Sequence, residues 1–218
     1  MLRVNLRPVN PIIHKTLLGE SQTLEFKFEL NSARRIAATL SAFSNTDGGT
    51  LLIGVKDNGH IAGVRAEEEL YVLEAAAELY CKPKVETEIR RWEVEGKVVL
   101  EVVIKASEAR PVKAESTEGD WKAWVRYGAS NRLASPVHLE LWKMQFTREK
   151  PSVYSTKEQK LLEALRQKSW LSLNQAAKLT RIPRQAIVRT MASFVRWELA
   201  EMLVDEGGSF VFSLREDD

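Results

Sequence analysis

Cysteine is almost missing from this chain. Cys81 stands alone among 218 residues, so no intramolecular disulfide can brace the fold, and a lone thiol fits a reducing, cytoplasmic setting. Histidine is scarce as well. His14, His60 and His138 lie far apart and lack zinc-ligand spacing, which argues against a structural zinc site. No apolar run approaches the roughly 20 residues that a bilayer span requires, so no membrane partner is expected. Arg3 and Arg7 are followed by Pro8 and Pro11 rather than by a continuous apolar core, so a secretory leader is not expected either. A large charge of one sign is also lacking. The net charge of +2 is far from that of a non-specific DNA coat, so nucleic-acid contact must rest on local patches. Repeats and low-complexity tracts are absent.

What is present is the composition of a globular protein, 44% hydrophobic and 28% charged, long enough for one large domain or two modest ones. Residues 1–18 carry two prolines and no clear period, and read as an extended arm or short pairing segment. Residues 24–30 alternate apolar and charged side chains, the pattern of a half-buried strand. Leu24, Phe26, Phe28 and Leu30 would face inward, with Glu25, Lys27 and Glu29 outward. Asn31 or Ser32 caps a following helix with Ile36, Leu40 and Phe43 on one side. That helix ends at Asn45-Thr46-Asp47-Gly48-Gly49, where glycine permits a positive φ. Residues 50–55 are nearly all apolar, as in a strand buried on both faces. Asp57-Asn58-Gly59 makes a turn, and a second helix covers 67–80. Segments 85–94 and 97–104 flank Glu95-Gly96 as a hairpin. A strand at 121–127 leads into a loop at 128–132. Strands interleaved with two helices predict an α+β fold, with helices packed on a mixed sheet.

The polar segment Arg148-Glu149-Lys150-Pro151-Ser152 predicts a domain boundary, giving units 1–150 and 151–218. Basic and acidic residues nearly balance before it, and basic ones hold a mild excess over residues 152–214. Beyond it the pattern turns helical. Helices are expected at 156–168, at 174–180 with Asn174 as cap, and at 184–199 after the turn Arg181-Ile182-Pro183. Two strands then surround Asp205-Glu206-Gly207-Gly208. On the last helix Ile187, Val188, Met191, Phe194 and Val195 form an apolar stripe, opposite Gln185, Arg189, Ser193 and Arg196. An apolar face for docking and an Arg/Gln face for phosphates and base edges is what a DNA-reading helix requires. Three helices and a Gly-tipped hairpin resemble a winged helix-turn-helix over nearly all of residues 155–214. That resemblance implies nucleic-acid contact through Arg184, Gln185, Arg189 and Arg196.

The densest signal lies earlier. Glu20-Ser21 precedes Glu25-Phe26-Lys27, and Ala42-Phe43-Ser44-Asn45-Thr46-Asp47-Gly48-Gly49 runs into Leu51-Leu52-Ile53-Gly54-Val55-Lys56-Asp57. This ordered block resembles the Schlafen AlbA-type nucleic-acid-binding domain, a family with both binders and ribonucleases. The resemblance implies an AlbA-like fold and a nucleic-acid partner, DNA first and RNA second. For a ribonuclease it implies Glu20, Glu25 and Asp57 as catalytic carboxylates holding Mg²⁺ or Mn²⁺. Lys56 occupies a slot that relatives often fill with an acid. No cofactor is expected for a binder. Lys27, on the strand face of Glu25, either offsets its charge or contacts phosphate.

Arg126-Tyr127-Gly128-Ala129-Ser130-Asn131-Arg132 resembles the R-x-G-x-S-x-R loop of the same family. Either Arg126 and Arg132 grip a phosphate, or they pair with nearby acids. Arg34 and Arg35 open the first predicted helix and are further candidate backbone contacts. Trp121 and Trp124 differ by an odd number of positions, so on a strand they face opposite sides and cannot both serve as a stacking platform. Gly48-Gly49 lacks the G-K-[ST] of a phosphate loop and reads as a helix terminator. The leading expectation is a cytoplasmic DNA-binding transcriptional regulator, with self-association through the N-terminal domain. The alternative is a metal-dependent endoribonuclease acting on structured RNA.

Overall fold

The computed structural model describes residues 10–144 and 151–215. The chain divides into two compact units, the first ending at Leu133 and the second beginning at Ala134. The expected boundary residues Arg148, Glu149 and Lys150 lie outside the described residues. The division falls before them because helix α4 (Pro136–Lys143) packs on the last helix of the second unit.

In the first unit, α1 (Pro11–Leu18) precedes β1 (Leu24–Lys27), α2 (Ala33–Asn45) and β2 (Gly49–Ile53). Next come α3 (Ala66–Glu78), the short β3 (Cys81–Lys82), and the hairpin β4 (Thr87–Val94) and β5 (Lys97–Ile104). The strands β6 (Lys113–Glu115), β7 (Trp121–Tyr127) and β8 (Ser130–Leu133) complete it. One four-stranded sheet has the order β1-β2-β5-β4, with β1 parallel to β2 and the remaining pairs antiparallel. A second sheet has the order β3-β6-β7-β8. The unit is therefore a mixed α+β fold.

Of the segment expected as an extended arm, residues 11–18 form a helix and residues 1–9 lie outside the described residues. Asn10 accepts a hydrogen bond from the Ile12 amide at 2.9 Å, and Pro11 occupies the first helical position, where its missing N–H is not needed. Buried Ile12 joins Leu24, Phe26, Leu52 and Val99 in one apolar cluster. Lys15 reaches the buried Glu101 at 2.5 Å, and the Trp92 indole donates to the same carboxylate at 2.9 Å.

The opposite sheet face packs on α2 and α3 through Leu51, Ile53, Leu100 and Val102 against Ile36, Leu40, Phe43 and Leu73. Both faces of the sheet are thus covered, and β1 is buried on both sides, not one. Glu25, expected outside, is 3% exposed, whereas Phe28, expected inside, is 47% exposed. Alternation failed here because α2 covers the charged side of the strand. The expected loop after Tyr127 instead turns at Gly128 and pairs back as β8 on β7. In the turn after α2, Gly48 has φ 72°, and a Cβ there would lie 2.7 Å from the Ile104 carbonyl oxygen, so only glycine fits.

The second unit contains α4, α5 (Thr156–Arg166), α6 (Leu173–Thr180), α7 (Arg184–Arg196), and an antiparallel pair, β9 (Ala200–Val204) and β10 (Phe210–Leu214). Leu171 adds a third strand contact, donating to Phe212 at 2.8 Å and accepting from it at 2.9 Å. Its core holds Leu161, Leu165, Ile187, Met191, Phe194 and Phe212. Burial of each such side chain stabilises by roughly 1.5–3 kcal/mol. Ser155 and Ser172 cap α5 and α6 with reciprocal capping boxes. The cap of α6 is thus Ser172, two residues ahead of the expected Asn174. Among the described residues, no helix is long and apolar enough to cross a membrane.

Candidate nucleic-acid interface

Glu25, Arg126 and Asn131 from the motifs of the first unit meet in one buried cluster at the seam between β1, α2, β7 and β8. Glu25 sits at its centre. Its Oε2 accepts from Arg126 Nη1 at 2.5 Å and from Asn131 Nδ2 at 3.3 Å. Its Oε1 accepts from Thr39 Oγ1 at 3.3 Å and faces Lys27 Nζ at 2.7 Å. The Arg126 side chain is 1% exposed. Its remaining N–H groups donate to the Ser21 carbonyl at 3.0 and 3.1 Å, the Leu24 carbonyl at 3.1 Å and Asn131 Oδ1 at 3.0 Å. The guanidinium lies 5.1 Å from the Phe43 ring centroid. Every donor direction of this planar fork is used within the protein.

This geometry revises several expectations. Arg126 pairs with an acid and has no donor left for a phosphate; the acid is Glu25, 101 positions away in sequence. Glu20 does not join Glu25. Its Oε1 accepts from the Phe26 amide at 2.8 Å, which satisfies an outward N–H on edge strand β1 and blunts that edge against further pairing. Asp57 is exposed in the turn after β2. Among the described residues, no group of three or more His, Cys, Asp or Glu side chains is arranged to hold a metal ion. The carboxylates expected for Mg²⁺ or Mn²⁺ therefore do not fit one, since Glu25 is saturated by cationic and neutral donors and Glu20 serves the backbone. No metal-assisted step follows from this arrangement.

The other basic candidates of this unit differ in exposure. Lys27 is partly exposed, at 36% of its side chain, beside Glu25. Arg34 stacks 4.5 Å from the Tyr80 ring and faces Glu115 at 3.6 Å. Arg35 is exposed on the first turn of α2, and Arg132 is partly buried on β8. Thr39 was not singled out by sequence reasoning, nor was Asn131 except as part of its loop. Their placement depends on tertiary contacts that no local pattern records. Asn45, within the quoted block, ties the end of α2 to the second sheet: it donates to the Val112 and Trp124 carbonyls at 2.7 and 2.9 Å and accepts from the Val112 amide at 2.8 Å.

The second unit arranges its charges in the opposite way. On α7 the stripe of Ile187, Val188, Met191 and Phe194 is buried, whereas Arg184, Gln185, Arg189 and Arg196 are exposed. Ser193, expected on the polar side, is 8% exposed and belongs to the packed side. Arg184 donates to Asn174 at 3.1 Å, which ties the start of α7 to α6. Arg189 faces Glu140 of α4 at 3.7 Å with 65% of its side chain exposed. An ion pair so exposed is worth about 0–1 kcal/mol and yields readily to a phosphate.

His138 lies on α4 of the same unit. Its ring packs on Phe210 at 4.8 Å, and its Nδ1 takes the Ser135 amide at 3.1 Å as part of the cap of α4. Burial pushes its pKa down to about 4, so it is neutral at physiological pH.

A mixed α+β domain with a saturated Glu–Arg pair at its seam, followed by a helical unit with a basic helix face, is the class of protein defined here. The family model of Schlafen, AlbA_2 matches residues 20–135, more than half of the chain, and the chain belongs to that family. No curated protein matches the chain. Among solved structures, the chain is similar to the DIP2311 protein of Corynebacterium diphtheriae at 18% identity and a TM-score of 0.44. That match covers 87% of this chain and 34% of the other, so the chain spans about a third of that protein's length. It is also similar to the N-terminal domain of an ATP-dependent DNA helicase RecG-related protein from Nitrosomonas europaea. Here the identity is 17% and the TM-score 0.42, with 69% of this chain and 97% of the other covered.

Proposed function

We propose that this protein is a DNA-binding transcriptional regulator whose second unit, a winged helix-turn-helix, supplies the groove contacts. The observation that carries the reading is α7. Its apolar stripe is buried in the unit's core, and its opposite face presents Arg184, Gln185, Arg189 and Arg196 to solvent. Arginine and glutamine at the start of such a helix reach base edges, and those further along reach phosphates. The β9–β10 hairpin with its Leu171 contact supplies the wing. In this reading the first unit contributes secondary backbone contacts through Lys27, Arg35 and Arg132, and holds its shape through the Glu25–Arg126 pair.

The test is fluorescence anisotropy of a labelled duplex at low salt. Arg189→Ala with Arg196→Ala is expected to weaken binding by roughly tenfold or more, as two lost phosphate contacts require. Unchanged affinity in that variant contradicts the assignment.

A further inference from the structure

The second unit carries another cationic surface, on the side of α6 rather than on the exposed face of α7. Lys168, Trp170, Gln175, Lys178, Leu179 and Arg181 line an open concavity of about 670 Å³. Its lining includes three cations and no carboxylate, and none of those cations forms an ion pair among the described residues. Trp170 is 44% exposed and Leu179 55% exposed. Indole is costly to leave in water, and the backbone beside this one is held in place. The next residue, Leu171, is 2% exposed and locked to Phe212 by two backbone hydrogen bonds.

A ligand matching this surface must be anionic and must offer a flat apolar face to the indole. An unpaired nucleic-acid strand has both, with phosphates for lysine and arginine and bases free to stack. A duplex keeps its base faces stacked inside, and an acidic peptide offers charge without rings. We infer that the Trp170 concavity is a binding site for single-stranded nucleic acid, separate from the duplex contacts proposed for α7. The site stands whether or not α7 reads duplex DNA, because the two surfaces share none of the named residues.

The experiment uses the full chain with a short labelled oligothymidylate and, in parallel, a labelled duplex. Trp170→Leu is expected to weaken oligothymidylate binding by roughly tenfold, in line with one lost stacked base, and to leave duplex binding unchanged. Trp170→Phe is expected to restore most of the loss, which a purely structural role would not require. Oligothymidylate is expected to quench tryptophan fluorescence in the wild type and less so in Trp170→Leu. Lys178→Ala with Arg181→Ala is expected to reduce the salt dependence of oligothymidylate binding by about 2 in log–log slope. Oligothymidylate affinity unchanged in Trp170→Leu overturns the inference. So does displacement of the oligonucleotide by polyglutamate at equal charge, which assigns the surface to an acidic protein instead. Loss of duplex binding alone in Arg189→Ala with Arg196→Ala supports both readings.

Discussion

The two units use arginine in opposite ways. In the first, Arg126 is 1% exposed in its side chain and spends its donors on Glu25, Asn131 and two backbone carbonyls. In the second, Arg189 is 65% exposed and faces the Glu140 carboxylate at 3.7 Å. Buried ion pairs persist because removal of one partner strands the other in a medium that cannot solvate it. Exposed ones are weak and exchange partners. A dense charged motif can therefore mark the seam of a fold, while the surface free to meet a polyanion lies on a helix with a less distinctive sequence.

The largest expected effect comes from the seam. Arg126→Ala leaves the Glu25 carboxylate buried without its closest cation, and is expected to cost about 3–5 kcal/mol in chemical unfolding. Arg126→Met with Glu25→Leu, which removes both charges, is expected to recover much of that loss. A loss under about 1 kcal/mol in Arg126→Ala breaks the contrast between the units.

Acid sharpens it from the other side. The His138 pKa falls from its ordinary 6.5 to about 4 in the folded chain, so the neutral form is favoured in the native state. That stability is fully present above pH 6.5 and declines as pH falls, because the unfolded chain takes up the proton first. It is gone below about pH 4, at a total of about 3 kcal/mol. His138→Gln, measured over the same window, is expected to flatten the part of the decline that belongs to this residue. An unchanged profile shows that His138 is not the group responsible.

Smaller effects follow on the α7 face. Arg189→Ala with Arg196→Ala is expected to leave stability within about 0.5 kcal/mol of wild type while reducing the salt slope of duplex binding by about 2. A large stability loss there makes these residues structural, as Arg126 is. Smallest of all, Glu20→Gln keeps a carbonyl oxygen for the Phe26 amide and is expected to change stability by under about 1 kcal/mol. Glu20→Ala removes the acceptor and is expected to cost more. Equal costs would mean that the Phe26 amide is satisfied in another way.

Much of this arrangement was legible beforehand. The apolar run of β2, the Ser32-capped α2 with its glycine turn, and the β4–β5 hairpin followed from local pattern. So did the apolar stripe of α7, although Val195 is only partly buried and Ser193, expected on the polar side, is buried. What was missed has a common cause in long-range burial. Period-two alternation in β1 placed Glu25 outside, because no local rule records that α2 covers that face. Arg126 and Glu25 meet across 101 positions, and the choice between phosphate grip and internal pair could not be made from either segment alone. The helix α1 was hidden by its prolines, although Asn10-Pro11 is itself a helix-start signal. Strand β8 was read as loop because its pairing with β7 follows a tight glycine turn with few β-branched residues.

The most direct test of the contrast is arginine-selective dicarbonyl modification, read by mass spectrometry with and without duplex DNA. In the free protein, Arg189 and Arg196 should react and Arg126 should not. With DNA bound, Arg189 and Arg196 should become protected, while Arg126 stays silent in both states. Reaction at Arg126 in the native protein, or DNA protection there without protection on α7, would contradict the account.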